Sequence, residues 1–185
     1  MARQAFVDLL DKATASGTAV ANTAAETILF PTYSIPTNYL QDGRTLVFVA
    51  YGQYSNTGTP TMVFSLRLGG VAGTLICKSP AITTPSGVTA AVWKVEVFMT
   101  VRSNGATGTI MGNGTSTVFA AVAGTVGSAT GAAAVQPMTA GGVTTPAVAT
   151  VDFTAAQAFA LTLTWSAADA SNTATGLNQG LLALN

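Results

Sequence analysis

From Thr23 onward this chain alternates apolar and polar side chains in short runs, each closed by turn residues. The clearest run is Ala91 to Ser103. Trp93, Val95, Val97, Met99 and Val101 fall on one side of it, and Lys94, Glu96, Phe98, Thr100 and Arg102 on the other. Sustained alternation predicts a strand with one buried face. The same pattern predicts strands at Thr23–Phe30, Leu46–Tyr54, Met62–Leu68, Leu75–Lys78, Gly108–Met111, Thr115–Val122 and Ala149–Phe153. Two more follow, one built on Phe159, Leu161, Leu163 and Trp165, and a closing one at Thr173–Leu184, which Gly176 and Gly180 interrupt. Asp42-Gly43, Asn56-Thr57-Gly58-Thr59-Pro60, Gly69-Gly70 and Asn104-Gly105 supply turn chemistry between them. Asn113-Gly114-Thr115 reads as one more turn, in preference to a glycosylation sequon. Many short strands without βαβ alternation predict an all-β fold, an antiparallel β-sandwich or jelly roll. Trp93 and Trp165 are expected to pack between its two sheets.

The first residues follow a different period. Phe6, Leu9, Leu10 and Ala13 fall at i, i+3, i+4 and i+7, one face of a helix. Asp8 and Lys12 add an i,i+4 ion pair on the other side. The expected layout is a short N-terminal helical arm and linker over residues 1–22, with Gly17 in the link, then a sandwich over residues 23–185. A three-turn helix does not persist alone in water, so this arm must dock. It docks on its own domain or on a neighbouring chain. The second case makes Phe6, Leu9 and Leu10 the candidate partner-contact residues. Residues 123–146 are rich in Ala, Gly, Thr and Val, and no ionisable side chain lies between Arg102 and Asp152. Their glycines argue against a helix. The expectation is a long, partly extended loop, a type that is usually functional or clamped by a partner.

Composition narrows the chemistry. Charged residues are 8% of the chain, against about 25% in an average soluble protein. Seven basic and seven acidic side chains cancel, so nothing is built to grip phosphates and nucleic acid is not an expected partner. The absence of His excludes imidazole catalysis and imidazole metal ligands. Cys77 is the sole cysteine, which excludes an intrachain disulfide; its apolar surroundings read as those of a buried small hydrophobe. No run approaches the roughly 18 apolar residues of a membrane span. Asp8, Asp11 and Lys12 interrupt any signal-peptide core, so synthesis in a host cytoplasm without a signal peptide is expected. No nucleophile elbow, phosphate loop or metal-ligand cluster is present. Asp152 and Asp169 stand apart in sequence with nothing to pair them for acid–base work. The expectation is therefore a protein that is not an enzyme and carries no cofactor or metal. Tyr33, Tyr39, Tyr51 and Tyr54 lie close together in sequence; they form either a sugar-binding patch or ordinary, partly buried tyrosines.

The outward strand positions are mostly Thr, Ser, Ala and Gly, where a solvated monomer normally carries charge of both signs. Few edges carry protective Lys or Pro. A surface of this kind is expected to be covered in a permanent assembly. A chain made in the cytoplasm yet surfaced like an extracellular protein fits a virion component.

Two stretches carry a resemblance. The first is Thr27-Ile28-Leu29-Phe30, then Ile35-Pro36-Thr37-Asn38-Tyr39-Leu40, then Gly43-Arg44-Thr45-Leu46. The second is Leu161-Thr162-Leu163-Thr164-Trp165-Ser166-Ala167-Ala168-Asp169-Ala170-Ser171-Asn172-Thr173. In these the chain resembles small jelly-roll structural proteins of tailed bacteriophages, the group of capsid cement (decoration) and tail-associated proteins. The resemblance implies a virion protein that works as a trimer. The expected function is a capsid cement protein on the shell surface, with itself and the major capsid protein or another virion protein as partners. The alternative is a tail-fibre or spike module binding a host-surface glycan.

Overall fold

The computed structural model describes residues 6–119, 133–142 and 145–184. These form strands and no α-helix. In chain order the strands are β1 (Val7–Lys12), β2 (Val20–Ala21), β3 (Thr27–Ile28), β4 (Tyr33–Ile35), β5 (Thr45–Ser55), β6 (Thr61–Leu68) and β7 (Thr74–Lys78). Then follow β8 (Ile82–Thr83), β9 (Ala91–Ser103), β10 (Gly108–Phe119), β11 (Ala133–Ala140), β12 (Ala149–Val151), β13 (Gln157–Trp165) and β14 (Thr173–Leu184).

Hydrogen bonding links them in the order β1-β14-β5-β9-β10-β11-β7-β6-β13-β3, with β2, β4, β8 and β12 as short additions. The β5–β14, β6–β13, β7–β11 and β9–β10 pairs are antiparallel and nested inside one another in sequence. Strand β11 pairs with β10 on one flank and with β7 on the other, so the sheet curls round through it into a half-barrel. Strands β1, β14, β5, β9 and β10 form a front wall, and β7, β6, β13 and β3 a back wall.

Alternation fills the space between the walls. Leu46, Phe48 and Ala50 of β5 and Trp93, Val95, Val97, Met99 and Val101 of β9 point inward and are buried. They meet Met62, Phe64, Leu66 and Leu68 of β6 and Phe159, Leu161, Leu163 and Trp165 of β13. Phe48 packs edge-on against Phe159 with ring centroids 5.0 Å apart, and the Phe64 and Trp93 ring centroids are 5.2 Å apart. Both tryptophans are buried as expected. Trp165 Nε1 donates to the Val20 carbonyl at 3.4 Å, whereas Trp93 Nε1 has no hydrogen-bond partner.

Two glycines make room for these rings. Gly52 of β5 pairs with Trp93 on one side and with Gly176 of β14 on the other. A Cβ on Gly52 would sit 2.2 Å from the Trp93 ring, and one on Gly176 2.3 Å from the Phe30 ring. Gly176 therefore does not break β14, which runs on with a bulge before Asn178.

Three expectations are corrected. The N-terminal helical arm is absent from the described residues: Val7–Lys12 is a strand on the edge of β14. A short isolated helix is marginal in water, whereas the edge of β14 carries backbone groups that need partners. Pairing there satisfies both segments, with a bulge between Leu9 and Asp11. Asn113-Gly114-Thr115 is not a turn but lies inside the continuous strand β10. A Cβ on Gly114 would stand 2.0 Å from the Glu96 carbonyl oxygen, so this glycine serves close strand approach. The expected loop at 123–146 contains β11; its remaining parts at 123–132 and 143–144 lie outside the described residues. Asn104-Gly105 turns the chain between β9 and β10 as expected, with Gly105 at φ 95°.

Candidate interaction surface

Strands that bury one face must present the other. On the back wall that outer face is closed by polar chemistry. Glu26, just before β3, takes Arg67 Nε at 2.6 Å and Nη2 at 2.9 Å, and accepts a hydrogen bond from Thr162. Thr162 and Ser65, though outward in register, are buried there. Burial pushes the Glu26 carboxyl up, but the hydrogen bonds from Arg67 and Thr162 outweigh it and hold the group below its ordinary value.

The front wall differs. Its outward rows run straight across the strands. One row joins Leu9, Leu182, Val47, Phe98 and Asn113 through successive pairs of β1, β14, β5, β9 and β10. The neighbouring row joins Val7, Leu184, Thr45, Thr100 and Met111. On the other flank Asn178, Tyr51, Lys94, Thr117 and Val135 line up from β14 to β11. Val7 is 60% exposed, Leu9 55%, Phe98 54% and Val135 59%. Among the described residues, every large exposed hydrophobic except Val71 and Val148 lies on this sheet or directly precedes it. Beside Phe98 the surface dips into a shallow, mainly apolar hollow lined by Val47, Glu96 and Gly114.

Charge on this face is sparse: Lys94 and Glu96 at its centre, Arg102 against Met111 at one end of β9, and Lys12 at the end of β1. Lys94 and Glu96 stand two positions apart on β9 with Nζ and Oε1 2.6 Å apart. That hydrogen bond to Glu96 holds the Lys94 ammonium above its ordinary value. The Lys94 ammonium also lies 5.4 Å from the Tyr51 ring centroid.

The three sequence-derived contact residues divide. Leu9 is exposed in the outer row of this face, and Phe6, which precedes β1, is exposed. Leu10 turns to the other side of β1 and packs against the core together with Ala13. Asp8 is held by Tyr39 Oη, which donates to its Oδ2 at 2.9 Å, and Asp11 by Gln179 at 2.7 Å. Phe98, Val47 and Leu182 were not singled out by sequence reasoning. The available signal was an aromatic residue in the outward register of an alternating strand.

Other candidates dissolve into local structure. Asp152 Oδ1 accepts from Thr154 N at 2.9 Å and Oγ1 at 2.6 Å; Asp169 Oδ1 accepts from Ser171 N at 2.8 Å and Oγ at 2.6 Å. These bonds hold both carboxyls below their ordinary values, as expected of turn-capping groups. Tyr51 faces outward, whereas Tyr54 is buried with its hydroxyl on the Phe119 carbonyl at 2.6 Å, and burial pushes it up to about 12. The four tyrosines therefore form no single patch. Cys77 is fully buried and its thiol is pushed up to about 12. Among the described residues no group of three or more potential acidic or thiol ligands converges on one point.

No family model and no curated protein matches the chain. Among solved structures, it is similar to the CBM2 module of the evolved Dit protein of Lactobacillus casei BL23 phage J-1. That similarity has a TM-score of 0.32 at 11% identity, over 83% of this chain and 68% of that one. The class defined by the fold is an all-β protein with a curled antiparallel sheet, one of whose outer faces carries an exposed apolar row among Thr and Asn side chains.

Proposed function

We propose that this chain is a structural protein of a bacteriophage virion, a capsid cement protein that acts as a trimer and stabilises the shell by burying surface. The observation that carries this reading is the apolar front wall on a chain with 8% charged residues. Exposed apolar patches on soluble monomers rarely exceed a few hundred Å², and on this wall an apolar row from Leu9 through Leu182 and Val47 to Phe98 crosses four strands. The nested β5–β14, β6–β13, β7–β11 and β9–β10 pairs support the jelly-roll reading within the curled sheet. Interface area, and not a pocket, supplies the energy of such a protein. Leu9, exposed in the outer row of the same face, extends the contact toward the shell or a neighbouring copy.

The test is to image particles with this protein labelled and to heat particles made with and without it. Label over the shell, with loss of the protein lowering the temperature at which particles open, is the expected result. Label confined to the tail tip would overturn the cement reading and favour the glycan-binding tail module.

A further inference from the structure

The front wall's charge, size and apolar content together specify its occupant. We infer that the outer face of β1, β14, β5, β9, β10 and β11 is the surface on which a second copy of this chain docks. This deepens the reading above and rests on its self-assembly part.

Size supports it first. With strands about 4.8 Å apart and outward rows about 6.7 Å apart, the rows from β1 to β11 cover about 700 Å², close to the roughly 800 Å² each partner buries in a standard specific interface. Charge supports it second. The Lys94–Glu96 pair satisfies itself at 2.6 Å, so covering the centre of the face strands neither of these two charges. Arg102, against Met111, and Lys12, at the end of β1, lie at the margins of the face, so its centre gives a strongly acidic or basic partner nothing to complement, whereas a second copy of the same chain fits. Apolar content supports it third, because Leu9, Leu182, Val47 and Phe98 form one unbroken row, the arrangement of an interface core ringed by polar residues.

The experiment uses the isolated full chain. Sedimentation velocity at micromolar concentration should show an oligomer, and Phe98→Lys should shift it to monomer with an unchanged β-sheet circular dichroism spectrum. Val135→Lys, at an exposed position of the same face, gives a second disruption should Phe98→Lys fail to fold. Independently, Phe98→Cys and Val71→Cys are labelled with a maleimide. Cys77, buried and with its thiol pushed up to about 12, leaves the introduced thiol as the reacting one. Phe98→Cys should label at least tenfold more slowly than Val71→Cys, which lies off the face. Equal labelling rates in an oligomer would place the interface elsewhere and overturn the inference. A monomer whose Phe98→Cys is protected only within particles would also overturn it, assigning the face to the shell protein and leaving the virion reading intact.

Discussion

The ring of Trp93 lies directly over the bare α-carbon of Gly52. The two residues are register partners on β9 and β5, and a Cβ at Gly52 would come within 2.2 Å of the indole and 2.1 Å of the Thr175 carbonyl oxygen. Gly52→Ala therefore overpacks the core from both a side chain and the backbone. Overpacking costs about 1–3 kcal/mol, and the rigid Thr175 carbonyl puts this variant at the upper end. Chemical denaturation should show that loss, and a midpoint equal to wild type would mean that Trp93 does not occupy this position.

Trp93 itself separates volume from polarity. Trp93→Ala should cost about 3–5 kcal/mol, as large core truncations do. Trp93→Phe should cost clearly less, because the Nε1–H it removes has no partner to lose. Thermal melts of the two variants side by side decide this. Equal destabilisation would show that the indole N–H is satisfied after all.

The Glu26–Arg67–Thr162 cluster predicts acid sensitivity with a definite sign. Glu26 is held below its ordinary value of 4.5 in the folded chain. Its contribution is therefore complete above about pH 4.5 and is lost as pH falls through its lowered folded value. Asp152 and Asp169 act in the same direction, beginning below their ordinary 3.8. The melting temperature should fall on acidification through this range, and Glu26→Gln should flatten the fall. An identical pH profile for Glu26→Gln would remove Glu26 from the account.

Leu9 and Leu10, adjacent in β1, should respond oppositely to truncation. Leu10 packs on the core, so Leu10→Ala should cost about 2 kcal/mol, the lower end for buried leucines. Leu9 is 55% exposed, so Leu9→Ala should leave the melting temperature of the dissociated chain within about a degree and weaken assembly instead. Melting and sedimentation on both variants would expose a reversed assignment.

Where alternation involved large side chains, the sequence was readable. Ala91–Ser103 and Thr173–Leu184 are strands over the expected residues, and the inward rows of β9 and β13 were identified from period alone. The N-terminus misled because Phe6, Leu9, Leu10 and Ala13 satisfy a helical period, while the edge of β14 that captures them lies at the far end of the chain. Strand β11 was hidden because Ala134, Met138 and Ala140 alternate only weakly with their neighbours and Pro137 argues against a central strand. The ladder from β11 to β7 involves only Thr139 and Ala140, which leaves Pro137 outside it. The front wall was half-legible. Its scarcity of charge was plain, but the row from Leu9 to Phe98 exists only once four strands from distant parts of the chain are set in register.

The pairing of Thr45 with Leu184 sets the tempo of folding. Strand β5 can find β9 early, but its other edge stays open until β14, more than a hundred residues further along, has been made and has turned back. A topology dominated by such distant partners closes its loops at high entropic cost, and places refolding in the millisecond-to-second range typical of β-sandwiches, about 1 ms or longer. Stopped-flow refolding complete within microseconds would contradict that placement. Until β14 arrives, a growing chain carries an open β-edge beside an uncovered apolar face, so the interval between synthesis and closure is when it is most exposed to pairing with the wrong neighbour.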